Sequence, residues 1–473
     1  MATRALEPGD SLDGFVVERV LHAGAMARIY VVRFANGAPD PGFPMAMKVP
    51  RMGPDDGPET IVGFETEHRL LPLLSGPHVP RFVAGGDLAL APYLVMELLP
   101  GRTYQAMLDE TPRLPLDHAV TLGVALARAC HSLHRQDVVH QDLKPANVMW
   151  RDGGIAVLLD FGLSHHAGLP DLLAEQTRQP IGTHAYMAPE QVLGIRGDSR
   201  SDLFAIGVML YEMLTGELPF GDPRTAGGLR QRLWMDPVPP RRLRDEVPEW
   251  LQEVVLRLLE PQAEHRYPSA KHLAFDLENP DQVAVTARGR RLQGTPWHRK
   301  VRRWLRAAGL QYEPSTMPSR QIDEVPIVMV AVPNRDASDG TLYSLRQASA
   351  RSLGIRPGAR LACVTVAPAD AADDSDTQRR LLEQLRRWAE PLALNQHQVS
   401  FHVLGSADVA GAIVRYAKRN AVSIIVMGAA THGLKLQPIV PTIPVKVAMQ
   451  APCTVMLVKE ELPVLTGADP DED

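Results

Sequence analysis

The stretch His140-Gln141-Asp142-Leu143-Lys144-Pro145-Ala146-Asn147-Val148 decides the reading of this 473-residue chain. It brings one carboxylate, one ammonium and the carboxamide of Asn147 close together. That set suits a base for a hydroxyl, a counter-charge for a phosphoryl group and an oxygen ligand for a hard cation. A second carboxylate follows in Leu158-Leu159-Asp160-Phe161-Gly162, after the turn Asp152-Gly153-Gly154 and a short apolar run. Two hairpin-like units closed by these loops would point both carboxylates into one cleft.

Working outward toward the N-terminus, Phe15 to Leu21 alternates and carries β-branched residues, which predicts a strand. Leu21-His22-Ala23-Gly24-Ala25-Met26-Ala27-Arg28-Ile29 then reads as a small-residue turn leading into a second strand. Met45-Ala46-Met47-Lys48-Val49 is a third strand with a single ammonium. An acidic helix is expected over Ile61 to Pro72, and Tyr93 to Gly101 reads as a strand ending at Pro100-Gly101. Leu116 to Arg135 has helical spacing and delivers the chain into the opening stretch.

Together these motifs closely resemble a bacterial-type serine/threonine protein kinase over roughly residues 12 to 277. The opening stretch resembles H-R-D-x-K-x-x-N followed by D-F-G, with Gln141 where arginine is usual. Met45 to Val49 resembles V-A-I-K, and Phe64, Glu67 and Leu71 fit F-x-x-E-x-x-x-L. Gly182-Thr183-His184-Ala185-Tyr186-Met187-Ala188-Pro189-Glu190 resembles the segment that shapes the substrate-binding loop. The resemblance implies a bilobal α+β fold, ATP and Mg2+ as cofactors, and protein Ser/Thr hydroxyls as substrate. Asp142 is then the catalytic base and Lys144 its catalytic partner, while Asn147 and Asp160 hold the metal. Lys48 pairs with Glu67, with Glu65 as runner-up. Leu21, His22, Gly24, Ile29, Ala46, Met96, Glu97 and Leu99 complete the nucleotide site. Structural roles fall to Asp202, which anchors the catalytic loop, and to Glu190 paired with Arg266. In the glycine-rich turn only Gly24 persists; His22 and Ala27 occupy the outer glycine positions. A pseudokinase scaffold is therefore the rival expectation.

Gln141 carries its own implication. In most relatives the arginine there binds a phosphorylated activation-loop residue, a charge-assisted contact that a neutral amide cannot make. Activity independent of loop phosphorylation is expected, with Ser164, Thr177 and Thr183 as the hydroxyls to consider.

Composition bounds the remainder. An apolar fraction of 45%, a charged fraction of 22% and a net charge of −5 describe a globular chain with no general attraction to nucleic acid. Length favours two or three domains. Three scattered cysteines argue against a disulfide framework or zinc site. Without an apolar leader or a run of roughly 18 to 20 apolar residues, a cytoplasmic location is expected.

Residues 1–13 read as an extension, 14–277 as the kinase domain (small lobe 14–96, large lobe 102–277) and 278–322 as a basic linker. In that linker Trp297, Val301, Trp304, Leu305 and Ala308 share one helical face beside eight arginines and lysines. A connector helix, a helix on anionic lipid, and an acidic or nucleic-acid partner are the three readings. Regular βα alternation over 323–460 predicts an α/β doubly wound parallel sheet. Its close, Ile425 to Ala429 and Ala451 to Val458, resembles universal stress protein domains. That resemblance implies regulation, and a homodimer through the last strand. ATP-binding members carry an aspartate after the first strand and a glycine-rich loop; here stand Pro333 and Pro441-Thr442. No tight nucleotide binding is expected there. Residues 461–473 form an acidic tail.

Overall fold

The antiparallel pairing of Phe15–Ala23 with Ala27–Phe34 starts a curled antiparallel sheet. In this computed structural model its strands are β1 (Ser11–Leu12), β2 (Phe15–Ala23), β3 (Ala27–Phe34), β4 (Met45–Pro50), β5 (Phe82–Gly85) and β6 (Leu94–Glu97). They lie in the order β1-β2-β3-β4-β6-β5. The structure describes residues 5–24, 26–35, 41–51, 58–88, 90–176, 180–223, 225–293, 318–334, 337–354, 358–369, 374–392, 394, 396–429 and 442–459. Phe15, Val17, Tyr30, Met47, Tyr93 and Val95 fill one face of the sheet. Helix α1 (Pro58–Leu70) carries Phe64 and Leu70 into the main core and is prolonged by one 3-10 turn, Leu71–Leu73.

The helical lobe is built on α2 (Tyr104–Glu110), α3 (Leu116–His134), and further helices at Ser199–Thr215, Glu249–Leu258 and Ala270–Glu278. Ser199–Thr215 is apolar nearly all round, as a helix buried on every side must be. Asp198 caps its start by accepting from Arg200 N, and Gly216 ends it at φ 73°. A hairpin of Val148–Arg151 and Ile155–Leu158 carries the two loops named above, as the pairing Val148↔Leu158 requires.

The compact unit of residues 1–321 includes a short segment beyond Glu278. Glu253 accepts from Thr286 Oγ1 (2.8 Å), Gly289 N (2.8 Å) and Arg288 Nη1 (2.9 Å), while Gln252 Nε2 donates to the carbonyls of Gly289 and Arg291. Gly289 is required there, because a Cβ would stand 2.7 Å from Glu249 O. The basic run at 288–291 is thus neutralised locally by helix Glu249–Leu258 and Asp236. The tryptophan-bearing stretch, Thr177, the loop through Pro441 and the acidic tail lie outside the described residues.

The second unit, residues 322–473, holds a five-stranded parallel sheet. Its order is Gln398–Gly405, Arg360–Ala367, Ile327–Ala331, Ile424–Gly428, Thr454–Val458. The three central strands are almost wholly buried, as a doubly covered parallel sheet demands. Helices Asp339–Leu353, Ser375–Ala389 and Val409–Arg419 follow the expected alternation. Ile443–Gln450 is a helix that the sequence reading leaves unassigned. Its β-branched Ile443, Val445 and Val447 conceal it, and Pro444 in its first turn starts it. No helix among the described residues is long and apolar enough to cross a membrane.

Candidate active site

Lys48 is fixed by strand register. On β4 it stands between Ile29 of β3 and Leu94 of β6, and its side chain leaves the sheet toward α1. Its Nζ donates to Glu67 Oε2 at 2.5 Å and to Asp160 Oδ1 at 3.0 Å. Glu67, 2% exposed, also accepts from Phe161 N through its other oxygen at 3.3 Å. The partner of Lys48 is therefore Glu67; Glu65 faces outward and pairs with Arg69 at 2.5 Å. Burial pulls the Lys48 ammonium down, but Glu67 and then Asp160 outweigh it and raise its pKa above the ordinary lysine value. Lys48 in turn holds the Asp160 carboxyl below its usual range. Burial pushes the Glu67 carboxyl up, opposed by Lys48.

The loop after α3 is held by its backbone. Asp202 accepts from His140 N (2.9 Å) and Gln141 N (2.9 Å), and its Oδ2 also meets His134 Nε2 at 2.8 Å. Those two amides are fixed in a sharp turn with Gln141 at φ 69°. Asp142 is buried and ringed by donors. Its Oδ1 accepts from Thr183 N and its Oδ2 from Lys144 Nζ, both at 2.8 Å. Lys144 Nζ also donates to Thr183 Oγ1 at 2.8 Å. Asn147 Nδ2 donates to Asp142 O at 2.9 Å, which turns its amide oxygen away from that contact. Asp160 sits at φ 61°, a left-handed conformation that aspartate tolerates better than most residues.

At the sheet edge, Glu97 N donates to Arg81 O and Leu98 N to Pro44 O. Ala46 pairs with Met96 across β4 and β6. The Glu97 carboxylate is buried against Arg151 and Arg81. In the turn, His22 pairs with Ile29, Gly24 N donates to Ala27 O at 3.0 Å, and the His22 ring lies 3.2 Å from where a Gly24 Cβ would be. Leu21 and His22 are exposed along the sheet's outer end.

With this geometry in view, the sequence signature of the protein kinase domain matches residues 39–275, half of the chain. The chain belongs to the protein kinase family. The universal stress protein family matches residues 326–459 of the same chain, so this kinase domain is followed by a domain of that second family. Curated relatives include a probable serine/threonine-protein kinase of Clostridium perfringens, 29% identical over 46% of this chain and 32% of that protein. The serine/threonine-protein kinase PknB of Mycobacterium tuberculosis is 29% identical over 57% and 43%. The tyrosine-protein kinase MasK of Myxococcus xanthus is 31% identical over 56% and 42%. The chain spans about a third to two-fifths of the length of these kinases.

Several contacts around the kinase site have no counterpart in the sequence reading. Gln191 Nε2 donates to Gln141 O at 2.7 Å and approaches Gln141 Oε1 at 3.3 Å. Ser164 is buried, with its hydroxyl donating to His140 O at 3.2 Å, which takes it out of reach as an acceptor of phosphate. Thr183 is engaged by Lys144. Glu190 and Arg266 form a buried two-pronged pair at 2.7 and 2.8 Å, as the motifs imply.

Proposed function

We propose that this chain transfers the γ-phosphate of ATP to serine or threonine hydroxyls of proteins. The observation that carries the reading is Lys48 held between Glu67 and Asp160 in the domain where Asp142, Lys144, Asn147 and Thr183 are mutually bonded. Asp142 orients the incoming hydroxyl and takes its proton, for which Thr183 N or Lys144 must yield one carboxylate oxygen. Lys144 offsets charge on the transferring group, and Lys48 engages the α- and β-phosphates.

A carboxylate and an amide oxygen suit Mg2+, which takes few protein ligands and completes its octahedron with phosphate oxygens and water. Asp160, half-exposed, and the Asn147 amide oxygen would be those ligands. When bound, the ion neutralises charge on the phosphates. Since Glu97 N and Leu98 N are already committed, Glu97 O and the Leu99 backbone would meet the adenine edge, behind Met96. Leu21, Ile29 and Ala46 would form its roof, and His22 with Gly24 would cover the phosphates.

Neutral Gln141, turned toward Gln191, supports a kinase that does not require activation-loop phosphorylation. The C-terminal domain is proposed as a regulatory module that pairs with a second copy through Thr454–Val458. That strand is at the sheet edge and exposes Met456 and Leu457. The rival reading, a scaffold without phosphotransfer, rests on the closed glycine turn beneath His22.

Phosphate incorporation from Mg-ATP, into the chain and into peptides bearing Ser, Thr or Tyr, separates these readings. Wild type is expected to label Ser/Thr peptides, and Asp142→Asn to lose about three orders of magnitude. Equal labelling by both, or none by either, would favour the scaffold.

A further inference from the structure

We propose that Asp171 and Arg196 form a built-in clamp that holds the activation segment where other kinases use a phosphorylated side chain. The inference rests on the reading of this chain as a kinase that works without loop phosphorylation. Asp171 lies midway along the segment, nine residues after Gly162, and Arg196 lies in the loop before helix Ser199–Thr215. Arg196 Nε donates to Asp171 Oδ2 at 2.8 Å, and Arg196 Nη2 donates to Leu163 O at 2.8 Å. One guanidinium thereby ties the backbone just after Asp160-Phe161-Gly162 to the middle of the segment. Both side chains are mostly buried, 15% and 20% exposed, so solvent screens the pair less than a surface ion pair.

The two ends of the clamp are themselves fixed. On the arginine side, Ile195 N and Leu193 N donate to Glu190 O, and the Glu190 side chain is locked by Arg266 and Ser201. On the aspartate side, Asp171 Oδ1 accepts from Ala174 N at 3.1 Å and starts the short helix Leu172–Gln176, which inserts Leu173 as a buried side chain. That short helix packs on α1, the element that carries Glu67. Displacing Asp171 would therefore disturb α1 as well as the substrate loop. Burial lowers the His165 imidazole, opposed by Asp171 and reinforced by Arg196, so the arginine is the permanent cation of this corner.

The chemistry is that of a phosphate held by arginine with the anion supplied by the chain itself. Gln141 cannot serve as the cation, since its neutral amide faces Gln191. Arg196 supplies that cation instead. Asp171 and Arg196 are positioning residues; neither is placed at the reacting atoms.

The test uses full-length protein freed of phosphate by phosphatase, with removal verified by mass. Turnover is measured against peptide and ATP, and hydrogen exchange over residues 163–172, for wild type, Asp171→Asn, Arg196→Met and the exchange Asp171→Arg with Arg196→Asp. Dephosphorylated wild type is expected to stay active. Each single variant should lose about tenfold in kcat/KM for peptide, equal to 1.4 kcal/mol, with KM for ATP little changed. Exchange over 163–172 should rise while helix Ser199–Thr215 stays protected, and the swapped pair should recover part of both. Inactive dephosphorylated wild type would overturn the reading on which the clamp rests. Active wild type with single variants indistinguishable in turnover and exchange would overturn the clamp alone. Impaired singles with no recovery in the swap would overturn the ion pair as the cause.

Discussion

The two units of this chain bury polar groups to different effect. In the kinase unit the buried charges nearest the site meet as complementary pairs, Lys48 with Glu67 and Lys144 with Asp142, backed by His134 with Asp202 and Arg266 with Glu190. In the stress-protein unit Arg360 donates to Gln398, and the Ser400 and Tyr416 hydroxyls meet no acceptor or donor among the described residues. Burial there pushes the Tyr416 hydroxyl well above its ordinary value and His402 down to about 4. Charges brought together for chemistry must be paired where the reaction happens, or they would not be charged at all. Polar groups set in that sheet core are expected to act first on the fold's stability. Function and stability should therefore separate in the first unit and coincide in the second.

The largest effect expected is in the first. Lys48→Met should lower phosphotransfer roughly a thousandfold, since it removes a preorganised cation from the site. It also strands Glu67, 2% exposed, so the unit should lose stability too. Adding Glu67→Gln removes the stranded carboxylate. The double variant should regain thermal midpoint but none of the turnover. Turnover that rose with the midpoint would make Lys48 a packing residue and break the comparison.

Next in size is Glu190→Ala. It leaves Arg266 buried with its two-pronged partner gone, and about 3–5 kcal/mol of stability should disappear. Burial pushes the Glu190 carboxyl up, yet Arg266 more than reverses this and holds it below 4.5. A carboxyl lowered on folding stabilises fully above its unfolded value and loses that contribution as pH falls through the folded one. Wild-type stability should thus decline in acid below about pH 4.5, and this part of the decline should vanish in the variant. Urea titrations at several pH values would measure both.

Much of the kinase site was legible because its chemistry recurs at fixed spacing. Lys48, Glu67, Asp142, Asn147 and Asp160 each sit in a short motif, and strand register or Asp202 then brings them together. Parallel strands in the second unit were legible from apolar runs between helices. Other contacts left no local trace. Asp171 meets Arg196 across 25 residues, Glu97 meets Arg151 across 54, and Gln191 reaches Gln141 across 50. No periodicity encodes such pairs, because only the folded path of the loops makes them neighbours. Helix Ile443–Gln450 was hidden for a different reason, its β-branched side chains imitating a strand. The basic residues 288 and 291 read as part of a basic linker, and only the fold brings them their carboxylate partners Glu253 and Asp236.

A smaller effect is expected from His402. Burial first, then Arg360, lowers this imidazole from 6.5 to about 4, so the unfolded chain binds the proton before the fold does. Stability is then complete above pH 6.5 and falls as the pH drops toward 4, by no more than about 3.5 kcal/mol at 1.4 kcal/mol per unit. His402→Gln should flatten this window for hydrogen exchange in strand Gln398–Gly405 and leave turnover unchanged at neutral pH. A variant that kept the full acid slope would show that another group titrates there.

The last prediction is an absence. If the second unit's polar groups act on stability alone, the full chain should bind one equivalent of a non-hydrolysable ATP analogue, and Lys48→Met should weaken that single site. The first strand of the second unit ends at Ala331, and Pro333 just beyond it offers a nucleotide neither a carboxylate nor an amide. The neighbouring Asn334 Nδ2 already donates to Val366 O at 2.9 Å. Backbone amides and a ribose acceptor are what a dinucleotide- or nucleotide-binding sheet supplies beyond its strand ends, and this corner has used or lost both. Calorimetry that returned two equivalents, with the second untouched by Lys48→Met, would place a ligand in the second unit. The division between the two units would then fail at its simplest point.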